Sequence, residues 1–193
     1  MRQVNRINEY ANKIISEINR LLQEKKPVFA AIDGRCGAGK TTLASILQEH
    51  IFCNVIHMDD FFLTPDMRTE ERMKIPGGNV DYERVLSEVI EPLKTGKTFS
   101  YRPYQCGVQS FGEPIEVVPA AVTVFEGSYS CHPALWDFYD LHIFLDVDGD
   151  TQIKRIALRN GEKSAEIFKK RWIPLEESYF GEYQIKSRCE LKF

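Results

Sequence analysis

The chain has 193 residues, a net charge of −3, and 43% hydrophobic against 27% charged residues. That is enough to bury one good core in an ordinary globular protein, and it excludes nucleic-acid binding that depends on overall positive charge. No apolar run approaches the roughly 18 residues of a membrane span, and the N-terminus lacks the apolar segment of a signal peptide, so a cytoplasmic protein without a membrane partner is expected.

Val4, Ile7, Ala11, Ile14, Ile15, Ile18, Leu21 and Leu22 recur every three or four residues. They predict an amphipathic helix within residues 1–26, stopped by Lys25-Lys26-Pro27 and packed on the protein's own sheet. The apolar run Val28 to Ile32 predicts a buried strand ending at Asp33. A helix carrying Leu43, Ile46 and Leu47 follows, then a short strand, Val55-Ile56-His57, that ends at Met58-Asp59-Asp60-Phe61-Phe62. Residues 63–80 contain two prolines and Pro76-Gly77-Gly78-Asn79, and read as a loop.

A helix from about Asp81 to Leu93 places Val85, Val89 and Ile90 on one face, and residues 97–120 suggest a small hairpin excursion. Two buried strands come next: Ala121 to Phe125, ending in Glu126-Gly127, and Leu141 to Leu145, ending in Asp146. Asp150 is expected to cap a helix through Arg159 that Asn160-Gly161 ends. A helix over 163–180 and a terminal strand near Leu191 complete the chain. The alternation predicts an α/β fold in one domain, a doubly wound parallel sheet with helices on both faces.

Between the first strand and its helix, Gly34, Arg35, Cys36, Gly37, Ala38, Gly39, Lys40, Thr41 and Thr42 read GRCGAGKTT. This is the phosphate-loop pattern G-x-x-x-x-G-K-[ST] in the strand-loop-helix context it requires. The glycines let backbone N–H groups turn inward around phosphate oxygens, Lys40 reaches the β- and γ-phosphates, and the Thr41 hydroxyl reaches Mg²⁺. A nucleoside triphosphate ligand is expected. Cys36 reads as a small residue tolerated in the loop, although neighbouring helix N–H groups would lower its thiol pKa. The five cysteines (Cys36, Cys53, Cys106, Cys131, Cys189) include no C-x-x-C pair, which argues for reduced thiols rather than a metal site or disulfide framework.

Ligands of open parallel sheets sit at the carboxyl ends of the strands. Four strands finish in acids here: Asp33, Asp59-Asp60, Glu126 and Asp146. Phosphoryl transfer to a hydroxyl needs metal ligands and a carboxylate that accepts the alcohol proton. Asp59 or Asp60 stands where such a base belongs, and Thr41, Asp59 and Glu126 are the candidate Mg²⁺ ligands. Basic residues gather late, at Lys154, Arg155, Arg159, Lys163, Lys169, Lys170 and Arg171. Arg155 and Arg159 share a helix face, and residues 155–171 suggest a basic flap that closes over the triphosphate and excludes water.

GRCGAGKTT, Met58-Asp59-Asp60-Phe61-Phe62, Asn79-Val80-Asp81-Tyr82, Phe125-Glu126-Gly127 and Arg155-x-x-x-Arg159-Asn160 stand in the order seen in uridine kinases. The chain resembles that family over about residues 28–193; the wider group holds phosphoribulokinase, pantothenate kinase and nicotinamide riboside kinase. The resemblance implies a P-loop kinase using ATP and Mg²⁺, with Lys40, Asp59 and Arg159 as catalytic residues. It implies that Asp81 binds acceptor sugar hydroxyls, that Tyr104 meets the acceptor base, that Arg159 and Arg171 belong to the flap, and that Gln109 and Arg171 lie on the acceptor side. Uridine kinases typically carry an acidic residue and a histidine after the aromatic. This chain has Gln105 and Gln109, and Asn160 replaces the usual Asp.

The expected activity is therefore ATP-dependent phosphorylation of a hydroxyl on a nucleoside-like small molecule. A nucleotide-controlled regulatory ATPase is one alternative, although no N-K-x-D guanine motif accompanies Asp146-Val147-Asp148-Gly149. A nucleoside monophosphate kinase is another. It would hold its acceptor phosphate with arginines such as Arg68, Arg72 and Arg102, against the charge of Asp81.

Overall fold

The computed structural model describes residues 2–193, with side chains from Arg6 onward. Five strands form one parallel sheet: β1 (Val28–Gly34), β2 (Asn54–His57), β7 (Val122–Glu126), β8 (Leu141–Leu145) and β9 (Leu191–Lys192), in the spatial order β2-β7-β1-β8-β9. Register aligns Ile32 with Glu126 and Glu126 with His57, so β1, β7 and β2 finish at nearly the same level.

Strand side chains alternate between two cores, as a sheet buried on both faces requires. Val28, Ala30, Ile32, Val122, Val124, Leu141, Ile143 and Leu145 face a core shared with the helices Arg2–Glu24 and Lys40–His50. Phe29, Ala31, Phe125 and Phe144 face the other, shared with residues 85–93 and with Tyr179, Phe180 and Ile185. The N-terminal helix thus packs on the sheet through Ala11, Ile14, Ile18 and Leu21; the Val4 side chain lies outside the described residues. No helix among the described residues is long and apolar enough to cross a membrane.

Residues 97–120 form two small antiparallel ladders instead of one hairpin. β3 (Phe99–Tyr101) pairs with β6 (Ile115–Val117), and β4 (Tyr104–Gln105) with β5 (Ser110–Phe111). The expected loop 63–80 contains a helical turn, Glu70–Lys74, begun by Thr69, whose hydroxyl accepts the Arg72 amide at 3.1 Å. Asp148, not Asp150, caps the helix Gly149–Asn160, because its carboxylate accepts the Thr151 amide at 2.9 Å. The helices expected from about Asp81 to Leu93 and over 163–180 form across 82–95 and 162–182, each carrying a π-helical stretch, Val85–Ile90 and Phe168–Trp172.

Candidate active site

β1 ends in a loop that only glycine can build. A Cβ on Gly34 would stand 2.0 Å from the Leu145 carbonyl oxygen of the neighbouring strand, and Gly39 at φ 105 begins the following helix in the left-handed region. Lys40 arches back over the loop, Nζ donating to the Gly34 and Arg35 carbonyls at 2.6 and 3.1 Å. Thr41 points across the sheet end: its hydroxyl donates to Glu126 Oε1 at 3.1 Å. The same oxygen meets His57 Nδ1 at 2.6 Å, and this hydrogen bond raises the His57 pKa.

The acids at the four strand ends divide into two kinds. Asp59 and Glu126 border one cavity of about 800 Å³ with Lys40, Thr41, Arg155 and Arg159, within the size range of small-ligand sites. Asp59 opens onto the cavity but is crowded by protein. That desolvation raises its pKa against the pull of Lys40, with Glu126 pushing the same way. Asp60 turns aside and accepts the Tyr101 hydroxyl at 3.0 Å.

Asp33 and Asp146 have structural work. Asp33 is fully buried and accepts from the Gly34, Tyr129 and Cys131 amides and the Tyr179 hydroxyl, at 2.7, 3.2, 3.0 and 2.8 Å. It thereby holds the turn that follows Glu126, where Tyr129 is kept at φ 71 and the next-door Ser128 meets the cavity. Asp146 is tied to Arg35 at 3.0 Å and to Lys186.

Arg155 Nη1 donates to the Gly37 carbonyl at 2.8 Å, and Arg159 Nη2 approaches Cys36 Sγ at 3.5 Å while its Nε donates to Asn160 Oδ1 at 2.7 Å. Both arginines therefore face the phosphate loop. The Cys36 thiol pKa is raised, not lowered: burial outweighs its cationic neighbours, and the Glu176 carboxylate adds to the rise.

The cavity is also lined by Phe62, Met73, Asn79, Tyr129, Phe168 and Trp172. None of the residues that the resemblance puts on the acceptor side is in the lining. Asp81 is buried as the cap of the helical segment from Tyr82, its carboxylate accepting the Arg84 amide at 3.1 Å. Tyr104 is buried against Phe111, Gln109 is exposed at φ 53 in the β4–β5 turn, and Arg171 is exposed with its guanidinium over Trp172. Antiparallel pairing of Tyr104 with Phe111 and the left-handed turn at Gln109 set where these two residues lie, and motif spacing does not reveal either.

Phe168, Trp172 and Glu176 escaped the sequence reading, although their four-residue spacing already puts them on one helix face. His57 also escaped; strand register alone brings it to Glu126. Of the arginines suited to an acceptor phosphate, Arg68 reaches the cavity but donates Nε and Nη2 to the Leu63 carbonyl. Arg72 is spent on the Gly78 and Val80 carbonyls and Glu83, and Arg102 on the Gly112 and Phe111 carbonyls.

No family model matches the chain. It is 30% identical over 152 residues to a uridine kinase of Ligilactobacillus salivarius, covering 73% of this chain and 70% of the relative. It is 29% identical over 149 residues to a uridine kinase of Alkaliphilus metalliredigens, covering 72% and 70%. Among solved structures, one titled a possible uridine kinase from Bacillus stearothermophilus superimposes with a TM-score of 0.69 over all of both chains at 19% identity, a likeness of fold. The chain is a small-molecule kinase, a phosphotransferase acting on an alcohol group, and it belongs to the uridine kinase family.

Proposed function

We propose that this kinase transfers the γ-phosphoryl group of ATP, with Mg²⁺, to a hydroxyl of a nucleoside-like acceptor. The observation that carries the reading is the meeting of Asp59 with Lys40, Thr41 and Glu126 around one cavity. Mg²⁺ typically takes one or two carboxylates and completes its shell with phosphate and water, and hard oxygen donors from Thr41, Asp59 and Glu126 fit that habit. When bound, Mg²⁺ would supply charge neutralisation between the phosphates.

The chain's own residues do the rest. Loop amides and Lys40 hold the phosphates, and Arg155 and Arg159 lie beside the loop where charge spreads during transfer. Asp59 orients the acceptor hydroxyl and takes its proton. The lining of Phe62, Met73, Asn79, Tyr129, Phe168 and Trp172 suits a flat ring with a few polar edges. A monophosphate acceptor is disfavoured, because Arg68, Arg72 and Arg102 are engaged with carbonyls. Gln105 and Gln109 stand where the family pattern has an acid and a histidine, and neither Gln109 nor Tyr104 is in the lining, so uridine and cytidine should be weakly discriminated.

The test is ADP release with ATP and a panel of nucleosides, vitamins and sugar phosphates. Turnover raised by a ring-bearing neutral alcohol is expected. Hydrolysis of ATP at one rate whatever the acceptor would favour a regulatory ATPase, and efficient, selective phosphorylation of uridine would restore a plain uridine kinase.

A further inference from the structure

The helix Ile173–Glu182 continues from the basic flap and is fastened to β1 and the phosphate loop by three contacts. The Tyr179 hydroxyl donates to Asp33, Glu177 receives Arg35 Nε and Nη2 at 2.6 and 3.0 Å, and Glu176 Oε2 receives the Cys36 amide at 3.1 Å. The first two grip the base of the loop. The third reaches its ligand side, for Cys36 and Glu176 both border the cavity. Amides of such a loop are where phosphate oxygens bind. Glu176, only 4% exposed and held on its other oxygen by the Ser128 hydroxyl, therefore puts an anion on an amide of the phosphate site.

We propose that Glu176 is an internal competitor for the phosphate loop, whose negative charge is neutralised by a proton from solvent when a nucleotide's phosphates arrive. The proposal rests on the nucleotide-binding reading of the cavity. Its physical basis is like-charge repulsion in a place poor in water, where two anions cannot share one amide without one being neutralised.

The groups facing Glu176 are Lys40 from the helix after the loop, Asp33 from β1, the Cys36 thiol, and Tyr129 and Ser128 from the turn after β7. Burial raises the Glu176 pKa and Asp33 adds to the rise, against Lys40, Ser128 and the Cys36 amide. Phosphates would raise it further. Nucleotide affinity is then highest below the carboxyl's ligand-free pKa, and falls as pH climbs toward its ligand-bound pKa.

Calorimetric titration with a non-hydrolysable ATP analogue and Mg²⁺, in buffers of different ionisation enthalpy from pH 6 to 8.5, counts the protons taken up. The wild-type protein should take up a fraction of a proton and lose affinity as pH rises. E176Q should take up less and bind roughly tenfold more tightly at pH 8, the equivalent of one pKa unit of interaction. E182Q, altered at an exposed position on the same helix, should keep the wild-type uptake. E176D, which draws the charge back from the amide, serves if the glutamine variant does not fold, with the same direction of change. Binding without proton uptake by the wild-type protein, or uptake unchanged in E176Q, overturns the proposal. Absence of analogue binding to the wild-type protein would instead remove the nucleotide reading beneath it.

Discussion

Thr41 and Glu126 lie 85 residues apart in sequence, yet the Thr41 hydroxyl stands 3.1 Å from Glu126 Oε1. Parallel pairing of β1 with β7 makes the contact, since the phosphate loop leaves β1 at the level where β7 ends. Glu126→Gln keeps the size and the hydrogen bond from Thr41 but removes a charge from the proposed Mg²⁺ shell. The expected result is an Mg²⁺ half-saturation point raised by about tenfold, with nucleotide affinity in the absence of metal little changed. Titrating activity with Mg²⁺ at fixed ATP tests it, and an unmoved midpoint would remove Glu126 from the metal site.

Asp59→Asn should bind an ATP analogue as the wild-type protein does, yet lose about 10²–10⁴-fold in kcat, the range for a positioned general base. Asp60→Asn is the informative companion. Asp60 is occupied by the Tyr101 hydroxyl, so its loss should cost far less turnover. Single-turnover rates of the two variants rank them, and a larger defect in Asp60→Asn would reverse the assignment.

Much of this site could be read from residues alone, because a phosphate loop, its strand and the strand-end acids are local in sequence. Strand-end position alone leaves the base as Asp59 or Asp60 and the resemblance picks Asp59; the turn after β2, which spends Asp60 on Tyr101, gives the physical reason. Asp33 is legible in the sequence only as one of the strand-end acids; four buried donors converging on it from β1, the turn after β7 and the helix Ile173–Glu182 make it structural. The proposed acceptor side is least legible. Its lining comes from a loop, a turn and a π-helical stretch far apart in the chain, and no short pattern records such convergence.

Asp33→Asn should destabilise the fold by about 1–3 kcal/mol, because every partner of Asp33 is a donor and an amide NH₂ would face donors without an acceptor. Tyr179→Phe removes one of the four and should cost about 1 kcal/mol. Urea unfolding midpoints at constant m measure both. A neutral Asp33→Asn variant would show that the buried network does not depend on the carboxylate.

Arg159 and Arg171 offer the sharpest contrast, because the resemblance assigns both to the expected flap while the fold places them differently. Arg159 borders the cavity and meets Cys36 of the phosphate loop; Arg171 is exposed and lies over Trp172. An arginine that acts on charge developing in the transition state lowers kcat when removed, while one packed on an outer aromatic does not. Arg159→Ala should therefore reduce kcat by about 10²-fold or more with a smaller change in the KM for ATP. Arg171→Ala should leave kcat within about threefold of wild type, its effect confined to acceptor KM through the position of Trp172. Steady-state kinetics over both substrates separates the cases. A kcat defect in Arg171→Ala equal to that of Arg159→Ala would mean that Arg171 swings inward during turnover and that the flap closes further than the cavity lining implies.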